Sequence, residues 1–312
     1  MKKLDNRALG EVRAWIYRNA RPLDLALWEF QFENGTREHV MDMLRIYQNE
    51  DGGFGNGLDS DCWNPESSPY NTMLAIGMMQ SNGLLNPGQP VIKDILQYLE
   101  NCPHCTDDGW LFCIPSNDNW PRAPWWTYDE KVNAVESMGV TAALCGFVLG
   151  FGDRQSGLFE RVCGYTDRIL RGLGHTTDFG ESGLAGVGTL VMAIEAAGLA
   201  DRFDCSAAKA EMENLVNRAI ERDPGKWGDY TPRPSNFIWS PDCPFYAGNE
   251  EIVEQELDYL IETRNPGGVW DITWSWYQLG EQYPKEFAIS ENWSKAGKAV
   301  EKIHFLKCFN RI

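Results

Sequence analysis

Gln48-Asn49-Glu50-Asp51-Gly52-Gly53-Phe54-Gly55-Asn56-Gly57, continued by Leu58-Asp59-Ser60-Asp61-Cys62-Trp63-Asn64-Pro65-Glu66-Ser67-Ser68-Pro69-Tyr70, is the stretch whose reading decides the fold. It joins two helical patterns and carries a Gly-Gly turn with an aromatic ring behind it. On its N-terminal side Val40, Met43, Leu44 and Tyr47 follow helical spacing. On its far side Ser68-Pro69 opens a helix whose Met73, Leu74, Ile76, Met78 and Met79 are apolar nearly all round, a pattern expected of an internal helix.

Weaker versions of the turn recur at Asp107-Asp108-Gly109-Trp110, Asp178-Phe179-Gly180, Gly225-Lys226-Trp227-Gly228 and Pro266-Gly267-Gly268-Val269-Trp270. Their spacing, roughly 40 to 70 residues, lies in the range that signals a repeat architecture. Glycine ends one helix in a left-handed turn, and the ring covers its last carbonyls. Trp110, Trp227 and Trp270 are therefore read as structural. Between the turns, amphipathic helices (91–99, 158–173, 207–220, 252–261) alternate with apolar, glycine-rich ones (137–149, 183–197). An outer ring of helices around an inner ring is the expectation, and no run of alternating β-branched residues competes with it.

The spacing Gln48-x-x-x-Gly52-x-Phe54 resembles the glutamine-and-tryptophan repeat of terpenoid cyclases and protein prenyltransferases. Pro266 to Trp270 looks like a second copy, with Thr263 at the glutamine's place. The resemblance implies an all-α fold: one α/α toroid domain over residues 1–312, built of five to six helical hairpins around an aromatic-lined cavity. Within that superfamily the chain looks most like a bacterial group that shares the Gly-Gly-Phe-Gly loop, Asn64-Pro65-x-Ser67-Ser68-Pro69, a loop like Ser235 to Pro244, and a closing Leu306-x-x-Phe309-x-Arg311-Ile312. No activity carries over from that group.

Composition narrows the function. The formal net charge of −17 excludes a nucleic-acid partner, because a phosphate backbone is held by clustered Lys and Arg. Nine cysteines without paired spacing, and no apolar leader before Asp5, lead to the expectation of a reduced, cytoplasmic protein. The longest apolar stretch, 140–151, is shorter than a membrane span. With 13 Trp, 11 Tyr and 14 Phe, some rings are expected to line a pocket for a small-molecule ligand. Oligomeric state is not legible.

Asp59 and Asp61 are the candidate catalytic acids. Carboxylates behind a rigid glycine loop can act as a proton donor and its activator, or can brace the loop and cap a helix. Class II terpenoid cyclases use Asp-x-Asp-Asp, of which Asp59-Ser60-Asp61-Cys62 lacks the last acid. The candidate substrate contacts are Trp63, Asn64, Ser67 and Tyr70 beside those acids, and Trp125, Trp126, Trp239, Asp242, Tyr246, Trp274 and Trp276 from ring-rich segments. The proline-rich segments at 113–131 and 229–248 are read as the rim of one pocket.

No metal or cofactor is expected. Asp242-Cys243 lacks the spacing of a prenyltransferase zinc site, and Cys102-Pro103-His104-Cys105 is half of a structural one. Gly180, Gly183, Gly186 and Gly188 follow no strand and are read as close helix packing rather than a phosphate loop. Three functions stay open: an isoprenoid enzyme using carboxylic-acid proton donation and rings as cation stabilisers; a carbohydrate-active enzyme of glycosidase or lyase type, pairing Asp59 or Asp61 with an acid such as Asp129, Asp242 or Asp271; and a non-catalytic binding protein.

Overall fold

A computed structural model describes all residues from Met1 to Ile312. It contains twelve α-helices and four short 3-10 turns. No strand forms, and the only β pairing is four isolated bridges. The chain divides into two compact units, one of residues 1–45 with 216–312 and the other of residues 46–215.

The first unit holds α1 (Asn6–Asn19), α2 (Pro22–Phe32) and α3 (Arg37–Arg45), then α10 (Glu250–Glu262), α11 (Tyr277–Gln282) and α12 (Pro284–Cys308). Asp5 caps α1 by accepting the Ala8 N–H, and Pro22 stands where a helix has no use for an N–H. Helix α12 packs against α1 and α2. Its buried side includes Ser290, Ser294, Ala296 and Ala299, residues too small or too polar to mark a core face by hydrophobic spacing.

The second unit holds α4 (Pro69–Ser81), α5 (Pro90–Asn101), α6 (Glu130–Phe151), α7 (Gly157–Gly172) and α8 (Gly183–Ala196), with α9 (Cys205–Ala219) running across its boundary. Helix α6 packs most extensively against α8, and glycines set the distance. A Cβ on Gly186 would stand 2.2 Å from the Gly139 carbonyl oxygen, so the backbones touch only because neither residue has a side chain. Gly186 is thus a packing residue.

Two sequence readings shift. The apolar stretch 140–151 is the second half of a 22-residue helix, α6, which starts where Asp129 caps the Lys131 and Val132 N–H groups. By length and composition α6 could cross a membrane, yet over half of its apolar window is buried inside its unit. It reads as a core helix, and the chain has no clear membrane span. Helix α4 is not sealed all round: Ala75, Ile76 and Met79 are buried, Met73, Leu74 and Met78 are half-buried, and Gly77 is exposed.

The opening turn repeats in detail. The Asn49 N–H bonds the Gly53 carbonyl at 2.9 Å and the Gly52 N–H bonds the Asn49 carbonyl at 3.0 Å. Asn265 and Val269, then Gly268 and Asn265, make the same two bonds at 2.7 and 2.9 Å. The Gln48 amide donates to the Gly52 carbonyl at 3.0 Å, and the Arg264 guanidinium donates to the Gly268 carbonyl at 3.2 Å. Arg264, not Thr263, therefore stands at the glutamine's place, four residues before Gly268 as Gln48 is four before Gly52. A long side chain with an N–H donor is all the position demands.

Candidate functional site

The second unit carries the candidate site, where the loop after the glycine turn meets the segment 112–126. Phe54 is fully buried, its N–H bonds the Thr72 hydroxyl at 3.1 Å, and its carbonyl accepts the Ser68 N–H at 2.9 Å. The turn is thereby locked onto the first residues of α4. Ser68 caps that helix through the Asn71 N–H, and Pro69 follows at its first position.

The same end of α4 positions the acid. The Asn71 side-chain oxygen accepts the Asp59 N–H at 3.0 Å, and the Asp59 carboxylate accepts the Asp61 N–H at 2.8 Å. Asp61 is buried, and its carbonyl accepts the Ala123 N–H at 2.8 Å. The Trp63 N–H bonds the Pro121 carbonyl at 2.9 Å, and Cys62 bridges to Arg122. Arg122, itself buried, donates to the carbonyls of Asn117, Asp118 and Trp120 and to the Thr127 hydroxyl. Two loops distant in sequence are thus tied by backbone bonds, and the Arg122 guanidinium holds the second of them together.

Asp59, Cys62, Ser68, Tyr70, Asn71, Phe112, Asn117 and Trp126 line a small pocket that encloses about 10 Å³, room for one water-sized group. Three rings form one wall. Phe112 and Trp126 stack with centroids 4.8 Å apart, and Tyr70 meets both edge-on at 5.3 and 4.4 Å. The Trp126 indole N–H is buried and has no hydrogen-bond partner. Burial pushes the Cys62 thiol up to about 12, so it stays protonated and inert at the pocket wall.

Of the residues singled out by sequence, Asp59, Tyr70 and Trp126 line this pocket. Asn64 and Ser67 brace it from behind. The Asn64 amide donates to the Ser116 hydroxyl and the Asn117 side-chain oxygen, both at 2.9 Å, and the Ser67 hydroxyl donates to Asp51 at 2.7 Å. The Trp63 indole donates to the Ser60 carbonyl at 3.1 Å, and Trp125 is half-buried, its carbonyl accepting the Cys113 thiol.

Trp239, Asp242, Tyr246, Trp274 and Trp276 belong to the other unit. Trp239 and Asp242 are exposed, Tyr246 packs on Phe309, Trp274 meets Tyr230 edge-on, and Trp276 is fully buried beside Phe287. Phe112, Asn71 and Asn117 were not selected from sequence. Phe112 stands two residues past the Gly109-Trp110 turn, a position at which the repeat itself requires no ring. No three His, Cys, Asp or Glu side chains gather as metal ligands would.

Comparison of the chain with known proteins finds no family model and no curated protein that matches it.

Proposed function

We propose that the pocket beside Asp59 takes one hydroxyl of a saccharide whose ring lies across its mouth, and that Asp59 moves a proton on it. The observation that carries this reading is the lining. A carboxylate and two primary amides are set against three packed rings, one of which holds a buried, unpartnered N–H. Hydroxyl groups suit the amides, the carboxylate and that indole donor, while the C–H face of a sugar suits the rings. The enclosed volume of about 10 Å³ admits one such hydroxyl and leaves the ring at the mouth. The protein is then a carbohydrate-active enzyme of glycosidase or lyase type.

One observation favours a second reading. Tyr70, Phe112 and Trp126 present π faces in mutual contact, the arrangement that stabilises a cation, with Asp59 as proton donor to an isoprenoid. Both readings belong with an α/α toroid of the terpenoid cyclase and prenyltransferase type, supported by the all-helical chain and by the turn repeated at 48–54 and 264–270.

Thermal-shift titration of the wild type and Asp59→Asn with monosaccharides, short oligosaccharides and short isoprenoid alcohols tests this. A saccharide-dependent rise that shrinks in Asp59→Asn is expected. A rise with isoprenoids alone selects the second reading, and a rise unchanged by the substitution removes Asp59 from the site. No rise with either class leaves neither ligand.

A further inference from the structure

In the first unit, the amine of Lys302 on α12 is set apart from its neighbours. Lys295 pairs with Asp271 at 3.0 Å and Glu291 at 2.8 Å, and Lys298 pairs with Glu301 at 2.8 Å. The remaining nearby carboxylate, Glu256 of α10, is fully buried and accepts both the backbone N–H and the hydroxyl of Ser235, at 2.7 and 2.6 Å, with Arg233 at 3.8 Å. Each acid around Lys302 is therefore engaged elsewhere. Lys302 makes no hydrogen bond and no ion pair, and its amine lies over the Trp270 ring, 5.1 Å from the centroid. That ring is fixed, because its indole N–H donates to the Leu260 carbonyl at 2.9 Å.

We propose that Lys302 is a nucleophilic amine site for a small aldehyde, with the face of Trp270 as the floor on which the carbonyl compound lies. The side chain is half-buried, so a small molecule reaches it while bulk water does not surround it. Burial chiefly, and then the positive charges of Arg233 and Lys298, bring the amine down to about 7, against the opposing pull of Glu301 and Glu256. The charge on Lys302 is felt in turn at Asp271. Desolvation beside another cation is a known route to a reactive lysine.

The step balances without oxidant or reductant. The Nζ lone pair forms a bond to the carbonyl carbon, and a carbinolamine results. Both amine hydrogens then leave with the former carbonyl oxygen as water, and an imine remains.

Reductive alkylation of the intact wild-type protein tests the site. Acetaldehyde and cyanoborohydride are applied at low conversion from pH 5 to pH 9, and each lysine is followed by peptide mass spectrometry. At pH 7 about half of such an amine is neutral, against roughly one in 2,500 for an ordinary lysine. Lys302 is expected to react at least about tenfold faster than Lys295 and Lys298, with a rate that levels off just above pH 7. A rate equal to or below theirs, or a rate that climbs steadily to pH 9 as theirs does, overturns the proposal.

Discussion

Asn71, in the first turn of α4, accepts the backbone N–H of Asp59 at 3.0 Å, so the helix that follows the loop decides where the loop's acid stands. Asn71 is buried and lines the pocket with the residue it positions. Replacing it by Ala leaves the Asp59 N–H without that acceptor, at a cost of about 1–3 kcal/mol. Asn71→Ala is therefore expected to lower the thermal midpoint and to weaken any saccharide-dependent shift. Asn71→Asp, which keeps the acceptor, should restore most of the midpoint.

Gly52 and Gly268 both sit at φ +90°, a conformation that costs a side chain about 1–3 kcal/mol. Their surroundings separate them. A Cβ on Gly52 would lie 2.1 Å from the Asp94 carbonyl oxygen, whereas on Gly268 it would lie 2.9 Å from the Glu11 Cβ, a much smaller overlap. Chemical denaturation should find Gly268→Ala destabilised by about 1–2 kcal/mol and Gly52→Ala by more than about 3 kcal/mol, strain and overpacking adding together.

Lys302 sets a pH dependence. Its amine is lowered to about 7 in the folded chain. In the unfolded chain it returns to roughly 10.4. Between those values the unfolded state binds the extra proton, so this group's contribution to stability rises with pH. Below pH 7 both states are protonated, and the folded chain bears the full cost of a buried ammonium. Lys302→Met is expected to raise the thermal midpoint at pH 6 and to flatten the rise between pH 7 and pH 10. An unchanged slope in the variant would assign the rise to other groups.

Arg311 closes the first unit. Its guanidinium is fully buried, pairs with Glu254 at 2.6 Å and Asp258 at 2.7 Å, and donates to the Lys2 carbonyl, while its own carbonyl accepts the Leu4 N–H at 2.8 Å. One residue thus holds α10 and the N-terminal segment together. Removing one partner of a buried ion pair costs about 3–5 kcal/mol, and Arg311→Ala should fall at the lower end because Glu254 and Asp258 are part-exposed. Arg311→Lys recovers less than half of the loss, since an ammonium cannot span two carboxylates and a carbonyl as the planar guanidinium does. Urea unfolding curves measure both.

The helical character and the turns were legible because they depend on neighbours in sequence. Ser68-Pro69 predicts the start of α4, Pro22 that of α2, and the glycine at 52 the left-handed turn, each from the local needs of the backbone. Helix α12 was largely hidden, since its buried face is built partly of Ser and Ala. The place of Arg264 opposite Gln48 follows from the spacing to Gly268 and Trp270, and only its role as the matching donor needs the structure.

The candidate site divides in the same way. Asp59 and Tyr70 could be named from sequence, for a unique acidic stretch behind a rigid turn is conspicuous. Which acid meets the pocket, and what it meets there, could not. Asp59 lines it beside Phe112 and Asn117, residues some fifty positions away that arrive only when Trp63 bonds Pro121 and Arg122 gathers the carbonyls of its own loop. Lys302 follows the same logic: it reads as one more lysine on a helix until the folded chain assigns every nearby carboxylate to another partner. Sequence alone determined most of the helices, though not α12, and the turns that end them, because hydrogen bonds within a few residues govern both. Only the tertiary structure decided which side chains share a pocket or lack a partner, since burial and pairing are set by contacts between distant segments.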